Sequence, residues 1–152
     1  MGAVEILQGN PLFTDCQFQN GGGPGVHVEG CWTVPVFRGC RVHGCGVGVL
    51  VSDHALATLE GGDIDGNGEA GVEAITGGRL HLERCRVTHN GGPAVSLRRH
   101  AVATLLDCQL GGNAGPDLCA EGATVSLGPG RLTHPDPDEP DAPLVVGVPP
   151  SR

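Results

Sequence analysis

The chain repeats itself every 22 to 24 positions, from its first line to Leu132, with the same residue types returning in the same order. Setting Cys16, Cys40, Gly62, Cys85, Cys108 and Gly130 in one column places Phe13, Phe37, Leu59, Leu82, Leu105 and Leu127 three positions before them. Five before stand Pro11, Pro35, Ala57, Leu80, Ala103 and Val125, and two after stand Phe18, Val42, Ile64, Val87, Leu110 and Leu132. A spacing of two puts both side chains on one face of a strand. The step of three from Leu82 to Cys85 interrupts that alternation, so the chain must bend there to keep both pairs pointing inward. A third pair lies about a dozen residues earlier in each copy: Val4/Ile6, Val26/Val28, Val49/Val51, Val72/Ala74, Val95/Leu97 and Leu118/Ala120. Each copy therefore reads as three short strands joined by bends.

Runs such as Gln19 to Gly23, Asp65 to Gly68, Asn90 to Gly92 and Gly111 to Asn113 separate the copies. Gly and Asn tolerate the left-handed backbone of tight turns. A copy this short cannot bury its own apolar face, but stacked copies share one continuous core. The expectation is an all-β parallel β-helix of about six coils over residues 1–132, rising roughly 4.8 Å per coil. Leucine-rich repeats have a similar period, but the L-x-x-L-x-L-x-x-N pattern is not met, and Gly-rich turns stand where their helix would run. Residues 133–152 alternate Pro with Asp and Glu and are expected to be an extended, disordered tail. Its one apolar run, 144–148, is expected to fold back as a strand over the last coil, whose edge would otherwise invite association.

Composition narrows the partners. The net charge is −8, Arg supplies all nine cations of the Lys and Arg count, and the only adjacent pair is Arg98-Arg99. Phosphate-backbone binding needs concentrated positive charge, so nucleic acid is not expected. No apolar stretch is long enough to cross a bilayer as a helix, and no membrane partner is expected. The N-terminal residues lack a basic segment followed by an apolar run, so a cytoplasmic or nuclear address is expected, with the seven Cys as reduced thiols.

The phrases Gly25-Val-His-Val-Glu, Gly71-Val-Glu-Ala-Ile, Val36-Phe-Arg-Gly-Cys-Arg-Val-His-Gly and Leu82-Glu-Arg-Cys-Arg-Val-Thr-His-Asn resemble the coils of right-handed parallel β-helix proteins. That family includes pectate-lyase-like and sugar-hydrolase proteins and the substrate-binding half of certain F-box ubiquitin-ligase adaptors. The resemblance covers about residues 2 to 132 and implies a right-handed coil. Function is left open by it, because one coil serves lyases, hydrolases and protein-binding scaffolds alike. The family often stacks Asn where this chain has Cys or Gly, which implies that an amide ladder has been exchanged for a column of small, soft side chains.

Two outer surfaces are expected to carry recognition. The middle residues of the first strands line up as Glu5, His27, Leu50, Glu73, Ser96 and Cys119, and the residues just after the Cys column as Gln17, Arg41, Asp63, Arg86, Gln109 and Arg131. In the second row Arg41, Asp63 and Arg86 would alternate in charge on successive rungs. Lys-dependent lyase and hydrolase signatures cannot occur, and the row's carboxylates Glu5 and Glu73 lie three rungs apart, beyond the separations glycoside hydrolysis uses. The expectation is therefore no enzyme, but a rigid scaffold recognising a protein through Glu5, His27, Glu73, Ser96, Arg41, Asp63 and Arg86, with end-to-end self-association open. Carbohydrate binding or cleavage is the alternative. Cys16, Cys40, Cys85 and Cys108 are expected to form a structural core column. No cofactor or metal is expected: Asp63 to Glu69 mimics the start of a calcium loop without its closing Glu, and Cys40 faces inward while His43 faces out, so the two cannot converge on zinc.

Overall fold

A computed structural model describes residues 3–19, 21–127 and 146–147. The first coil runs through β1 (Val4–Ile6), β2 (Leu12–Thr14) and β3 (Gln17–Phe18), and the second through β4 (Val26–Glu29), β5 (Val36–Arg38) and β6 (Arg41–His43). The third comprises β7 (Val49–Ser52), β8 (Leu56–Glu60) and β9 (Asp63–Asp65), and the fourth β10 (Val72–Ala74), β11 (Arg79–Glu83) and β12 (Arg86–Thr88). The fifth holds β13 (Val95–Arg98), β14 (Val102–Leu106) and β15 (Gln109–Gly111). β16 (Leu118–Glu121) and β17 (Thr124–Leu127) begin a sixth, and β18 (Val146–Gly147) pairs in parallel with β16.

First strands stack into a seven-stranded sheet ending on β18, second strands into a six-stranded sheet and third strands into a five-stranded sheet. Every named strand pairing is parallel. With the right-handed crossover that parallel strands adopt, the molecule is an all-β, right-handed parallel β-helix with three strands per coil. The third strand of the sixth coil, expected around Gly130 to Leu132, lies outside the described residues, as does the 133–152 tail apart from β18.

The inward columns fall where the repeat puts them. Val26, Val28, Val49, Val51, Val72, Ala74, Val95 and Leu97 are fully buried from the first sheet, Ala57, Leu82, Ala103 and Leu105 from the second, and Val87 and Leu110 from the third. The bend between second and third sheets is made by one left-handed residue per coil: Asp15, Gly39, Gly61, Arg84 and Asp107, with φ of 54, 63, 64, 53 and 53°. Each precedes a member of the Cys column, so a single φ reversal supplies the step of three that separates the two inward pairs.

The thiol column lies inside the tube at Cys40, Cys85 and Cys108, whereas Cys16, on the first coil, is only partly covered. Cys85 Sγ lies 3.2 Å from Leu59 O and Cys108 Sγ 3.3 Å from Leu82 O, so each thiol donates to a second-sheet carbonyl of the preceding coil. All seven Cys are free. The neighbouring Cys108 thiol, together with burial, pushes the Cys85 thiol well above its ordinary range, and burial does the same at Cys40. These groups stay protonated and act as small hydrophobes with a donor.

The expectation that thiols replace an amide ladder is corrected, because the tube has both. Five residues after the Cys column, Asn67, Asn90 and Asn113 stack on successive coils: Asn67 Nδ2 donates to Asn90 Oδ1 at 2.8 Å and Asn90 Nδ2 to Asn113 Oδ1 at 2.9 Å. Each Oδ1 also accepts the backbone N–H one coil back, from Cys45, Asn67 and Asn90 at 3.0, 3.1 and 2.9 Å. The ladder closes the Gly-rich turn between the third sheet and the next coil, where the backbone has too few partners of its own.

Candidate functional site

The first sheet presents the expected outward row in register, Glu5 beside His27, His27 beside Leu50, Leu50 beside Glu73, and Glu73 beside Ser96. Its polar groups are largely tied to one another. His27 Nε2 lies 3.4 Å from Ser52 Oγ and 4.0 Å from Glu29 Oε2, and Arg98 Nη2 donates to Glu73 Oε1 at 2.8 Å. Leu50 separates His27 from Glu73. Ser96, expected on an open face, is buried, and its rung neighbour Glu73 is engaged by Arg98. Trp32 is 83% exposed at the β4–β5 turn, and no aromatic side chain stands in this row.

The third sheet carries the charged groove. Arg41, Asp63, Asp65, Arg86, Thr88 and His89 line a concavity of about 350 Å³. The strands β6, β9 and β12 set the row Arg41, Asp63, Arg86 in register, and beside it the row His43, Asp65, Thr88. Three of the sequence-derived residues, Arg41, Asp63 and Arg86, therefore meet here, while Glu5, His27, Glu73 and Ser96 stand on another face.

The charges pair differently from the straight ladder that the sequence suggests. Arg41 reaches diagonally to Asp65, with Nε 3.1 Å from Oδ1 and Nη2 3.0 Å from Oδ2. A long guanidinium stem spans the diagonal between neighbouring strands, where a bidentate fork has better geometry than a direct contact with the short Asp63. Hydrogen bonding from Arg41 holds the Asp65 carboxyl below the usual range against the opposing effect of burial, and the Arg41, His43 and His89 charges add to the lowering. Arg86, exposed on the same face, makes no ion pair among the described residues.

His89 is the residue that sequence reasoning missed. It takes φ 57° at a turn position filled by Gly44, Gly66 and Gly112 in the neighbouring coils, at 64, 65 and 65°. Its imidazole lies over Gly112, with Nε2 3.6 Å from where a β-carbon on that glycine would stand. A left-handed L-residue costs on the order of 1 kcal/mol, a cost this fold also carries at the bends formed by Asp15, Arg84 and Asp107. The signal was present in the sequence as one histidine in a column of glycines.

The Asp65 pairing makes a pH prediction. A depressed carboxyl contributes stability that is fully present above its unfolded value, about 3.9, and lost as pH falls through its lower folded value. The stability difference between wild type and Asp65→Asn, measured by urea melts, is expected to favour wild type at neutral pH and to disappear on acidification below about pH 4. A difference that persisted unchanged at low pH would show that Arg41 and Asp65 are not coupled.

No curated protein matches the sequence. Among solved structures, the fold is similar to the crystal structure of the periplasmic alginate epimerase AlgG, with a TM-score of 0.72 at 12% identity over 86% of this chain and 35% of that one. The chain thus spans about a third of the length of the structure it resembles. Two expectations are corrected by this finding. The inference of no enzyme rested on missing lyase and hydrolase signatures, yet the similar coil belongs to a protein named as an epimerase. The cytoplasmic or nuclear address rested on the N-terminal residues, and the similar protein is periplasmic. The model of the right-handed β-helix region matches residues 2–128, and the chain belongs to that family.

Proposed function

We propose that this β-helix acts on an acidic polysaccharide in the groove of its third sheet. The observation that carries the reading is the meeting, in one concavity, of His89 and of Arg86, which has no ion pair among the described residues. Similarity to a protein named as an alginate epimerase supports a sugar polymer as the ligand class. Charge supports an acidic one: Arg41 and Arg86 balance Asp63 and Asp65, so the groove is neutral before its histidines are counted, in a chain of net charge −8.

The chemistry follows from the side chains. A guanidinium binds a carboxylate in a planar, two-pronged contact, so Arg86 takes the sugar carboxylate. With that charge neutralised, the C–H next to the carboxyl group becomes more acidic. The His89 imidazole, when neutral, accepts that proton as general base. Delivery of a proton from water to the opposite face of the same carbon inverts its configuration, and the His89 imidazolium then loses its proton to solvent. Departure of the neighbouring glycosidic oxygen, taking up the proton from the imidazolium, would instead leave an unsaturated sugar. Arg41 holds Asp65 beside His89, where the carboxylate stabilises the imidazolium that forms. Among the described residues the only large exposed aromatic, Trp32, is on a different coil corner, so binding here is electrostatic rather than by stacking.

The test uses alginate and polygalacturonate oligosaccharides, calorimetry for binding, and proton NMR for inverted or unsaturated sugar. Arg86→Ala is expected to weaken binding about tenfold or more. His89→Gly matches the neighbouring coils and keeps the fold. It is expected to retain binding and lower turnover by about a hundredfold or more. Equal binding of a neutral oligosaccharide, or wild-type behaviour of both variants, would remove the proposal.

A further inference from the structure

We propose that the corner between the first and second sheets of the second coil is a separate hold for the sugar polymer, with Trp32 as a stacking platform for one pyranose ring. The inference rests on the reading of a sugar polymer as the ligand class, but not on the residues of the third-sheet groove.

The corner is built to present that side chain. Six residues, 30–35, separate β4 from β5, against three at 53–55 and three at 99–101 in later coils. The longer turn is pinned from within. Thr33 is fully buried; its N–H donates to Gly30 O at 3.1 Å, its Oγ1 to Glu29 O at 2.7 Å, and its carbonyl accepts the Leu56 N–H at 3.0 Å. The Val34 N–H donates to Gly9 O at 2.9 Å, which ties the turn to the preceding coil. Gly30 takes φ 104°, and a β-carbon there would stand 3.2 Å from Thr33 Oγ1. Beside this anchor, Trp32 is 83% exposed. The backbone that carries the indole is therefore fixed while the indole itself is open to solvent, so a ligand has little backbone to order on binding.

The exposed apolar surface is concentrated here. Phe13, Phe18 and Phe37, the remaining aromatic residues, pack on one another in the core. Among the described residues four large apolar side chains are exposed, and three of them, Leu7, Leu12 and Trp32, belong to the first two coils. Leu7 lies in the turn between β1 and β2, and Leu12 opens β2.

Size selects the occupant. Three side chains present a few hundred Å² at most, whereas a stable protein partner needs roughly 800 Å² from each side. One indole matches one sugar ring. The C–H bonds on the face of a pyranose are polarised by the neighbouring oxygens and meet the negative face of an aromatic ring favourably. Its hydroxyls project at the rim, where Gln8 and Asn10, exposed in the adjoining turn of the first coil, offer amides that both donate and accept. This hold needs no charge on the sugar. The groove depends on charge and lies on the sheet across the tube from this corner, so the two are occupied independently.

Trp32 is the one tryptophan of the chain, so its emission reports on this corner directly. Titration of the full chain with alginate oligosaccharides is expected to give a saturable blue shift. The shift is expected to persist in Arg86→Ala and at about 1 M salt, where the screening length falls to about 3 Å. Affinity electrophoresis in gels containing alginate then compares variants in the Arg86→Ala background. Trp32→Ala is expected to raise the dissociation constant about fivefold or more, and Trp32→Phe, which keeps a flat ring, to raise it less. No saturable shift, a shift abolished by Arg86→Ala, or equal retardation of Trp32→Ala would each overturn the assignment. Loss of calorimetric binding in Arg86→Ala with no response from Trp32 would remove this corner and leave the groove standing. A Trp32 response together with undiminished binding by Arg86→Ala would do the reverse.

Discussion

Asn90→Ala is expected to destabilise the protein by about 3 kcal/mol, seen as a fall of about 9 °C in melting temperature. Asn90 is almost fully buried and uses every polar atom of its amide. Its Oδ1 accepts from Asn67 N and Asn67 Nδ2, and its Nδ2 donates to Ile64 O and Asn113 Oδ1. Truncation leaves the buried Asn67 N–H without its acceptor and removes one bond each from Asn67 Nδ2, Ile64 O and Asn113 Oδ1, of which Asn113 Oδ1 keeps the Asn90 N–H. An unmade buried hydrogen bond costs more than a made one contributes, so the loss exceeds that of one contact. Asn113→Ala, on a less buried rung, is the internal comparison and is expected to cost less. If chemical denaturation gave Asn90→Ala wild-type stability, the amide ladder would have no structural weight.

Leu82→Ala should cost about 4 kcal/mol, toward the upper end of the range for buried leucines. The magnitude follows from the wall around it. Leu82 is fully buried and lies between Leu59 and Leu105 on adjacent rungs of the second sheet. A cavity in a helical protein can shrink when a helix tilts inward. Here β11 is hydrogen-bonded to β8 on one side and β14 on the other, and the opposing sheets are fixed in the same way. The hole stays near full size, so the cavity term adds to the lost transfer free energy. Calorimetric melting of Leu82→Ala measures the loss, with the exposed Val102→Ala as the surface control. A loss below about 2 kcal/mol would mean that the walls relax.

The tube itself was legible because stacking imposes two periods at once. An alternation of two within each strand and a return every 22 to 24 residues are both consequences of register, and both survive in the sequence as columns. The Cys column could be assigned inward at Cys40, Cys85 and Cys108 for that reason, and the outward partners of Glu5 and Glu73 could be listed. The amide ladder was hidden because Asn67, Asn90 and Asn113 sit among glycines, where Asn also reads as a turn residue. Only the burial of Asn67 and Asn90 distinguishes a ladder from a solvated turn.

The groove was half legible. Register brings Arg41, Asp63 and Arg86 together, but the length of a guanidinium stem decides that Arg41 takes Asp65 on the diagonal, leaving Arg86 with no ion pair among the described residues. Periodicity also could not foresee that Arg98 would reach across to Glu73, since that depends on where a side chain goes and not on which face it leaves from.

Each coil closes on its own three strands and meets only the coils before and after it. Length is therefore a quantity this molecule can change in whole steps. Gain or loss of one complete winding leaves every interior column intact and moves the surfaces apart or together by a single rung. An odd residue gained inside a strand has no such freedom, because it turns everything beyond it in that strand from the inside of the tube to the outside. The lineage can adjust the spacing between its charged faces, but only by an integer.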